Sequence, residues 1–382
     1  MPPQSEIRKQ VVSQAKTIVV KVGTRVITSD TGILDHNRID CLSSQLCRIA
    51  NTGRQTLLVS SGAVGAGVAK LGLTERPSGL AQLQAVAAIG QTHLIQAYEV
   101  ALARLGRHAA QVLLTADDLR RRGGYLNVRN CLHQIHNFGS IAILNENDSV
   151  AVSELMTTFG DNDRLASQVA GLLSEALLII LSDVEGLYDG PPSLPSSTKL
   201  DVVPQIDDEV LAMAQSEQNN QSRGGMASKL QAAKIATSHG HPTIIAPGRD
   251  DEVLDKIMSG DSVGTLFLPP ERSIKGRKRW IGSAAGTHGS ITVDHGAETA
   301  LCQRGGSLLA IGIRQISGSF KHGSVVSILN QQGTEIARGL SNYPSSEINL
   351  IKGLPSDQIA EVLGHRPYES VIHRDNMVLL GE

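Results

Sequence analysis

The sequence predicts an α/β fold: a three-layer αβα sandwich around a mostly parallel central sheet, followed by a small β-barrel-like domain. Three observations carry that expectation. Short β-branched or leucine-rich runs alternate with helix-length segments over residues 1–268. The runs are apolar on both faces, as strands are when helices cover both sides of a parallel sheet. From Pro269 the pattern changes to short strands separated by glycine-rich turns.

The strand candidates of the first domain are Thr17–Val22, Thr56–Ser60, Ala109–Leu114, Ile141–Leu144, Leu177–Leu181 and Thr243–Ala246. Between them lie helix candidates at His36–Thr52, Leu80–Leu105, Asn127–Phe138, Arg164–Glu175 and Met226–Gly240. This βαβα alternation is the signature of a layered α/β domain. Two segments read as loops: Asp189–Thr198, rich in Pro and Ser, and Gln215–Gly225, polar and closed by a glycine pair. Each adjoins a candidate site motif, so a lid and an idle surface loop both fit. Pro269, Pro270 and the basic run Lys275–Arg279 mark a linker over 269–287. In 288–382 the expected strands are Ser290–Val293, Leu308–Ile313, Ser324–Leu329 and Glu335–Leu340, with one helix near Glu361.

Composition narrows the function. Ten aromatic rings in 382 residues leave the core to Val, Ile, Leu and Ala, and 38 glycines exceed ordinary usage of about 7%. Lys and Arg (35) nearly balance Asp and Glu (37), so no global field attracts nucleic acid or an anionic membrane. The longest apolar run, Ala176–Leu181, is far short of the ~20 residues that span a bilayer. Ile18–Val20 is too short for the core of a signal peptide. Cys41, Cys47, Cys131 and Cys302 show no paired spacing, which argues against a disulfide framework or a zinc site and for a reducing cytoplasm.

In open parallel sheets ligands bind beyond the carboxyl ends of the strands. Here those ends are Lys21-Val22-Gly23-Thr24, Ser60–Gly67, Asn145–Asp148 and Ser182-Asp183, so polar and charged residues gather on one edge. Lys21 closes an apolar strand, and a buried lysine needs either a carboxylate partner or an anionic ligand. Gly62, Gly65 and Gly67 let backbone N–H groups approach an anion, or serve only tight packing. The segment matches neither G-x-x-x-x-G-K-[ST] nor G-x-G-x-x-G. Asn145–Asp148 and Gly160–Asp163 form two acidic and amide clusters, readable also as an Asx turn and a helix cap. Arg223–Lys229 sets two glycines at a helix start and a lysine one turn inside it, where N–H groups and ammonium converge on an anion.

Two lysines, glycine-rich turns and several carboxylates on one edge point to phosphoryl transfer with magnesium. No His stands among these motifs. A carboxylate acceptor suits that absence. A glutamate side chain ordinarily titrates at ~4.3, so it is ionised near neutral pH and needs no general base.

The wording and order of these motifs resemble the amino-acid kinase family. The matching stretches are VVKVGT at Val19–Thr24, SSGAVGAG at Ser60–Gly67, NENDSVA at Asn145–Ala151, GDND at Gly160–Asp163, SDVEGLY at Ser182–Tyr188 and GGMASKLQAA at Gly224–Ala233. ITVDHGA at Ile291–Ala297 and SGSFKHG at Ser317–Gly323 resemble a PUA domain. The resemblance implies ATP-dependent phosphorylation of the γ-carboxylate of L-glutamate, the first step towards proline, with Mg2+ accompanying ATP. By the same resemblance, Lys21 and Lys229 would neutralise the transferring phosphoryl group and Asp163 would hold them. Ser61, Asp148 and Asn162 would bind glutamate. Lys21, Ser182, Asp183, Arg223, Gly224, Gly225, Met226, Ala227, Ser228 and Lys229 would contact the nucleotide. No residue is expected to form a separate metal site. Proline is the expected feedback inhibitor, and a homo-oligomer is expected. Arg223, where many relatives carry Thr, and Arg164, where Asn is frequent, depart from the pattern.

A reading of a different class is RNA binding, since PUA domains elsewhere accompany RNA-modifying enzymes. Between His288 and Arg366, six Lys and Arg (304, 314, 321, 338, 352, 366) face six Asp and Glu (294, 298, 335, 347, 357, 361). An RNA footprint is basic. The charge balance argues against it.

Overall fold

The computed structural model describes residues 3–29, 32–115, 118–119, 122–150, 161–215, 225–270 and 287–380. The chain divides into two compact units, Met1–Leu119 with Val128–Ser273, and Arg120–Asn127 with Ile274–Glu382.

The first unit is built on an eight-stranded sheet in the order β3-β4-β2-β1-β5-β7-β8-β6. Its strands are β1 (Thr17–Val22), β2 (Gln55–Ser60), β3 (Ala109–Leu114), β4 (Ile141–Glu146), β5 (Ala176–Ser182), β6 (Val202–Val203), β7 (Thr243–Pro247) and β8 (Thr265–Phe267). Strand β1 lies between β2 and β5, parallel to both, with Lys21 opposite Val59 and Ile180. The β7–β8 pair alone is antiparallel, so the sheet is mostly parallel as expected. All six residues of β1 and all seven of β5 are buried, which is why they read as unbroken apolar runs. Strand β3 departs from that expectation. It is the edge strand, and most of its residues are partly exposed.

The helices are α1 (Gln4–Gln14), α2 (Thr24–Ile27), α3 (His36–Asn51), α4 (Ala63–Lys70), α5 (Leu80–Ala103), α6 (Arg122–Asn137), α7 (Asp161–Leu172), α8 (Asp208–Gln215), α9 (Met226–Ser238) and α10 (Val253–Ser259). Alternation along the strands decides what they cover. Ile18, Val20 and Val22 of β1 share one core with α3, α5 and α10, through Leu46, Leu94, Leu102 and Leu254. Helix α7 packs on the other face, against β1 and β5, and α9 packs on α7. Helix α1 is not expected from its polar sequence. It is secured by Arg8, whose guanidinium bonds Asp201 at 2.6 Å and the carbonyls of Val263 and Gly264.

The expected helix Arg164–Glu175 begins three residues earlier, so Asp161–Asp163 form its first turn rather than a loop. Asp189–Thr198 closes on itself: the Asp189 N–H donates to the Thr198 carbonyl and the Thr198 N–H to Asp189 Oδ1. Most of Gln215–Gly225, with Arg223 and Gly224, lies outside the described residues, as does the basic run Lys275–Arg279.

The second unit holds a five-stranded sheet ordered β10-β9-β11-β12-β13, from β9 (Ser290–Val293), β10 (Ile313–Ser317), β11 (Val325–Leu329), β12 (Glu335–Leu340) and β13 (Met377–Leu379). Helices α11 (His295–Cys302), α12 (Ser345–Ile351) and α13 (Ile359–Leu363) accompany it. The expected strand Leu308–Ile313 is corrected. Leu308 makes a single bridge to Ile372, Ala310–Gly312 is a 3-10 turn, and pairing starts only at Ile313. A Cβ at Gly312 would stand 2.4 Å from Ala297 Cβ, so the chain bends where it passes α11. Among the described residues, no helix is long and apolar enough to cross a membrane.

Candidate active site

Strands β1, β2, β4 and β5 end together at Val22, Ser60, Glu146 and Ser182. Because Val20 and Val22 face the α3–α5 core, Lys21 points to the opposite face, the one α7 covers. There its Nζ stands 2.6 Å from Asp163 Oδ1, with both side chains buried. Asp163 is the third residue of α7. Its other oxygen accepts from Ser228 Oγ at 3.0 Å, and Ser228 Oγ also reaches the Gly225 carbonyl.

Lys229 follows, one turn into α9 and 5% exposed. Burial pushes its ammonium pKa down; Asp163 pulls it back up and Lys21 pushes it down again. Two buried lysines thus gather around the Asp163 carboxylate at the start of two helices, with Asp183 and Arg25 adding smaller opposing influences on Lys229. Helix N-termini favour anions in the same place. Chemically, such an arrangement suits an anionic group.

Beside it, Asp183 accepts from Arg25 Nη1 at 2.9 Å and from Ser182 Oγ at 2.9 Å. Burial works against the Asp183 carboxylate, but these bonds outweigh it and hold the group below the usual range. Arg25 sits in α2 directly after β1, and nothing in the sequence singles it out.

The other half of the edge is amide-rich, with Glu146 and Asp148 as its carboxylates. Asn162 Nδ2 donates to Ser61 Oγ at 2.9 Å and to Asn145 Oδ1 at 3.0 Å. Asn145 Nδ2 donates to Gln91 Oε1 at 2.8 Å. Ser60 Oγ reaches the Ser61 carbonyl and lies 3.0 Å from the Tyr98 hydroxyl, which is buried. Asp148 stands half-buried in the turn after β4. Ser61 and Asn162 are therefore brought together, and Asn145, Gln91 and Tyr98 join them unannounced. Gln91 does leave a trace in the sequence: it interrupts the apolar face formed by Val86, Ala87, Leu94 and Ala97.

The glycines divide by role. Gly62 caps α4 at φ 109, a conformation that other residues rarely adopt, so it makes the turn after Ser61. Gly67 serves packing instead: a Cβ there would stand 2.0 Å from the Val86 carbonyl of α5. Met226 is buried at the start of α9. Ala227 lies beside it in the same first turn.

The chain is similar to known proteins along nearly its whole length. Residues 16–247 match the amino acid kinase family, and residues 289–363 match the PUA domain. The chain is 59% identical to a glutamate 5-kinase of Rhodopirellula baltica, covering 98% of this chain and 96% of the relative. It is 43% identical to a glutamate 5-kinase of Moorella thermoacetica over 97% of this chain and 98% of that one. A third, from Trichlorobacter lovleyi, is 44% identical over 98% and 99%. With matches that run nearly end to end in both directions, the chain belongs to the amino acid kinase family, in its glutamate 5-kinase group, and carries a C-terminal PUA domain.

Proposed function

We propose that this protein transfers the γ-phosphoryl group of ATP to the γ-carboxylate of L-glutamate, giving glutamyl 5-phosphate, the first step of proline biosynthesis. The observation that carries the reading is the buried Lys21–Asp163–Lys229 group beside an amide-lined edge, in a chain whose full-length relatives are glutamate 5-kinases. A carboxylate oxygen of glutamate attacks the γ-phosphorus, the bond to the β–γ bridging oxygen breaks, and ADP leaves with the electron pair. No proton is transferred, so no general base is required. In this reading Lys21 and Lys229 neutralise the non-bridging oxygens as charge spreads over them. Asp163 keeps the two ammonium groups apart and aimed. Ser61, Asn162 and Asp148 hold glutamate, while Ser182, Asp183 and the segment Arg223–Lys229 hold the nucleotide.

Magnesium arrives in this reading with the nucleotide, bound by its phosphates. Among the described residues no group of three or more His, Cys, Asp or Glu gathers to hold a cation. The kinase domain would span 1–268, the linker 269–287 and the PUA domain with its tail 288–382. A cytoplasmic homo-oligomer inhibited by proline at the glutamate site completes the proposal.

The test is glutamate- and ATP-dependent formation of a hydroxamate in the presence of hydroxylamine, across a panel of carboxylate substrates with and without proline. Hydroxamate from glutamate in preference to aspartate or acetylglutamate is expected. No hydroxamate from glutamate would refute the assignment.

A further inference from the structure

We infer that Gln91 is a positioning residue for the acceptor side: from α5 it fixes the Asn145 amide, and through it the amide that Asn162 presents to Ser61. The inference rests on the kinase reading above and deepens it.

The argument begins with a backbone donor. The Glu146 N–H donates to Asn145 Oδ1 at 2.9 Å, and a backbone N–H cannot reverse its role. The oxygen of Asn145 must therefore face Glu146, and its Nδ2 must face Gln91. Gln91 must then present Oε1, at 2.8 Å, and Asn162 must present Nδ2, at 3.0 Å. One backbone group thus sets the direction of three side-chain amides. The chain of bonds passes over the end of the sheet, from α5 on one face to α7 on the other, and ends on Ser61 Oγ.

Two further observations separate this role from simple packing. Gln91 is 7% exposed, and its Nε2 is buried with no hydrogen-bond partner among the described residues. An open buried donor is destabilising, so leucine would fill the position at lower cost if volume were the only need. The neighbouring Gly90 brings α5 so close to α4 that a Cβ there would stand 1.8 Å from the Ala63 carbonyl. Ala63 is two residues from Ser61, so Gln91 is held in rigid register with the group it orients.

Removing Oε1 leaves Asn145 Nδ2 without its acceptor. Asn145 cannot turn over without giving up both Glu146 and Asn162, so the set loosens towards Ser61. The nucleotide side shares none of these bonds, since Asp183 is held by Arg25 and Ser182.

The experiment is hydroxamate kinetics on the full chain for wild type, Gln91→Leu and Gln91→Glu. Gln91→Leu is expected to raise KM for glutamate by about tenfold, equivalent to ~1.4 kcal/mol, with KM for ATP within about twofold. Gln91→Glu keeps an oxygen for Asn145. Burial raises the pKa of such a carboxyl, so at about pH 6 its KM for glutamate should lie within about threefold of wild type. As pH rises the group ionises. It still accepts from Asn145, but its negative charge now repels the substrate carboxylate, and that KM should climb, while wild type over the same range does not.

An unchanged glutamate KM in Gln91→Leu, an equal rise in both KM values, or a fall in kcat alone overturns the inference. So does Gln91→Glu behaving like Gln91→Leu at low pH. If Gln91→Leu does not fold, the pH dependence of Gln91→Glu decides by itself. A wild type that makes no hydroxamate from glutamate overturns the functional reading and this inference together. An active wild type with indifferent variants overturns the inference alone.

Discussion

Lys229 is asked to be charged in a place that resists charge. Burial lowers its pKa, Lys21 adds to the effect, and Asp163 only partly offsets them. The free enzyme therefore gives up this proton at a lower pH than an ordinary solvated lysine, which titrates at ~10.4. The consequence has a definite sign. kcat/KM for ATP should fall on the alkaline side at a pH below the ordinary lysine range, because that ratio reports the free enzyme. ATP brings negative charge and pulls the pKa back up, so the fall in kcat should lie at higher pH. Lys229→Arg, which stays charged throughout, should shift the alkaline fall upward. Lys229→Ala should lose on the order of 10²–10³ in rate while staying folded. Paired pH–rate profiles check all three, and superimposable wild-type and Arg profiles would take the titration away from Lys229. Lys21 and Lys229 are conspicuous in the sequence because a charged residue at a strand end or after a glycine pair stands out. Asp163 reads there equally as a helix cap and takes its role only from the family resemblance. Arg25 is not conspicuous: its partner Asp183 is 158 positions away, and an isolated arginine reads as a solvated one.

At the scale of elements, β1, β2, β4, β5 and β7 are legible because burial on both faces leaves an uninterrupted apolar run, while the short β6 and β8 leave none. Helices with little apolar content are not legible either. Helix α1 buries only Arg8 and Val12, and α4 (AVGAGVAK) carries two glycines that read as a turn. What the sequence cannot convey is contact between helices, and there propensity alone predicts the wrong sign. Glycine inside a helix is ordinarily ~0.5–1 kcal/mol worse than alanine, so Gly90→Ala looks stabilising. The structure reverses this. The new Cβ would stand 1.8 Å from the Ala63 carbonyl and 2.4 Å from the Gly67 nitrogen, both backbone atoms, so α4 and α5 must part. Such overpacking costs ~1–3 kcal/mol or more. Gly65→Ala in the same helix pair meets only contacts at 3.7 and 3.8 Å and should be tolerated. Thermal unfolding of the two variants tests the contrast: Gly90→Ala should lose several degrees and Gly65→Ala little or none, and equal midpoints would contradict the packing argument.

Over the whole molecule, the two units contribute differently. Every described candidate site residue belongs to the first unit. Between His288 and Arg366 the second unit carries six basic and six acidic residues, and among its described rings Phe320 and Tyr343 are buried and Tyr368 stacks on His322. A platform for nucleic acid needs exposed rings and basic charge, and the described residues of this unit offer neither. The second unit also takes in a short piece of earlier sequence. Residues 120–127 belong to it, and there Leu126, fully buried, packs with Val325 and Leu340. A chain ending at Pro270 keeps the site but strips Leu126 of both partners, and burying a leucine is worth ~1.5–3 kcal/mol. Truncation should therefore lower the unfolding midpoint while leaving kcat for hydroxamate formation within about threefold. Leu126→Ala in the full chain should reproduce part of the stability loss with the same kcat. A truncated chain that is folded, by an unchanged far-ultraviolet spectrum and a cooperative transition, yet slower by more than about tenfold would place part of the catalytic arrangement in the second unit.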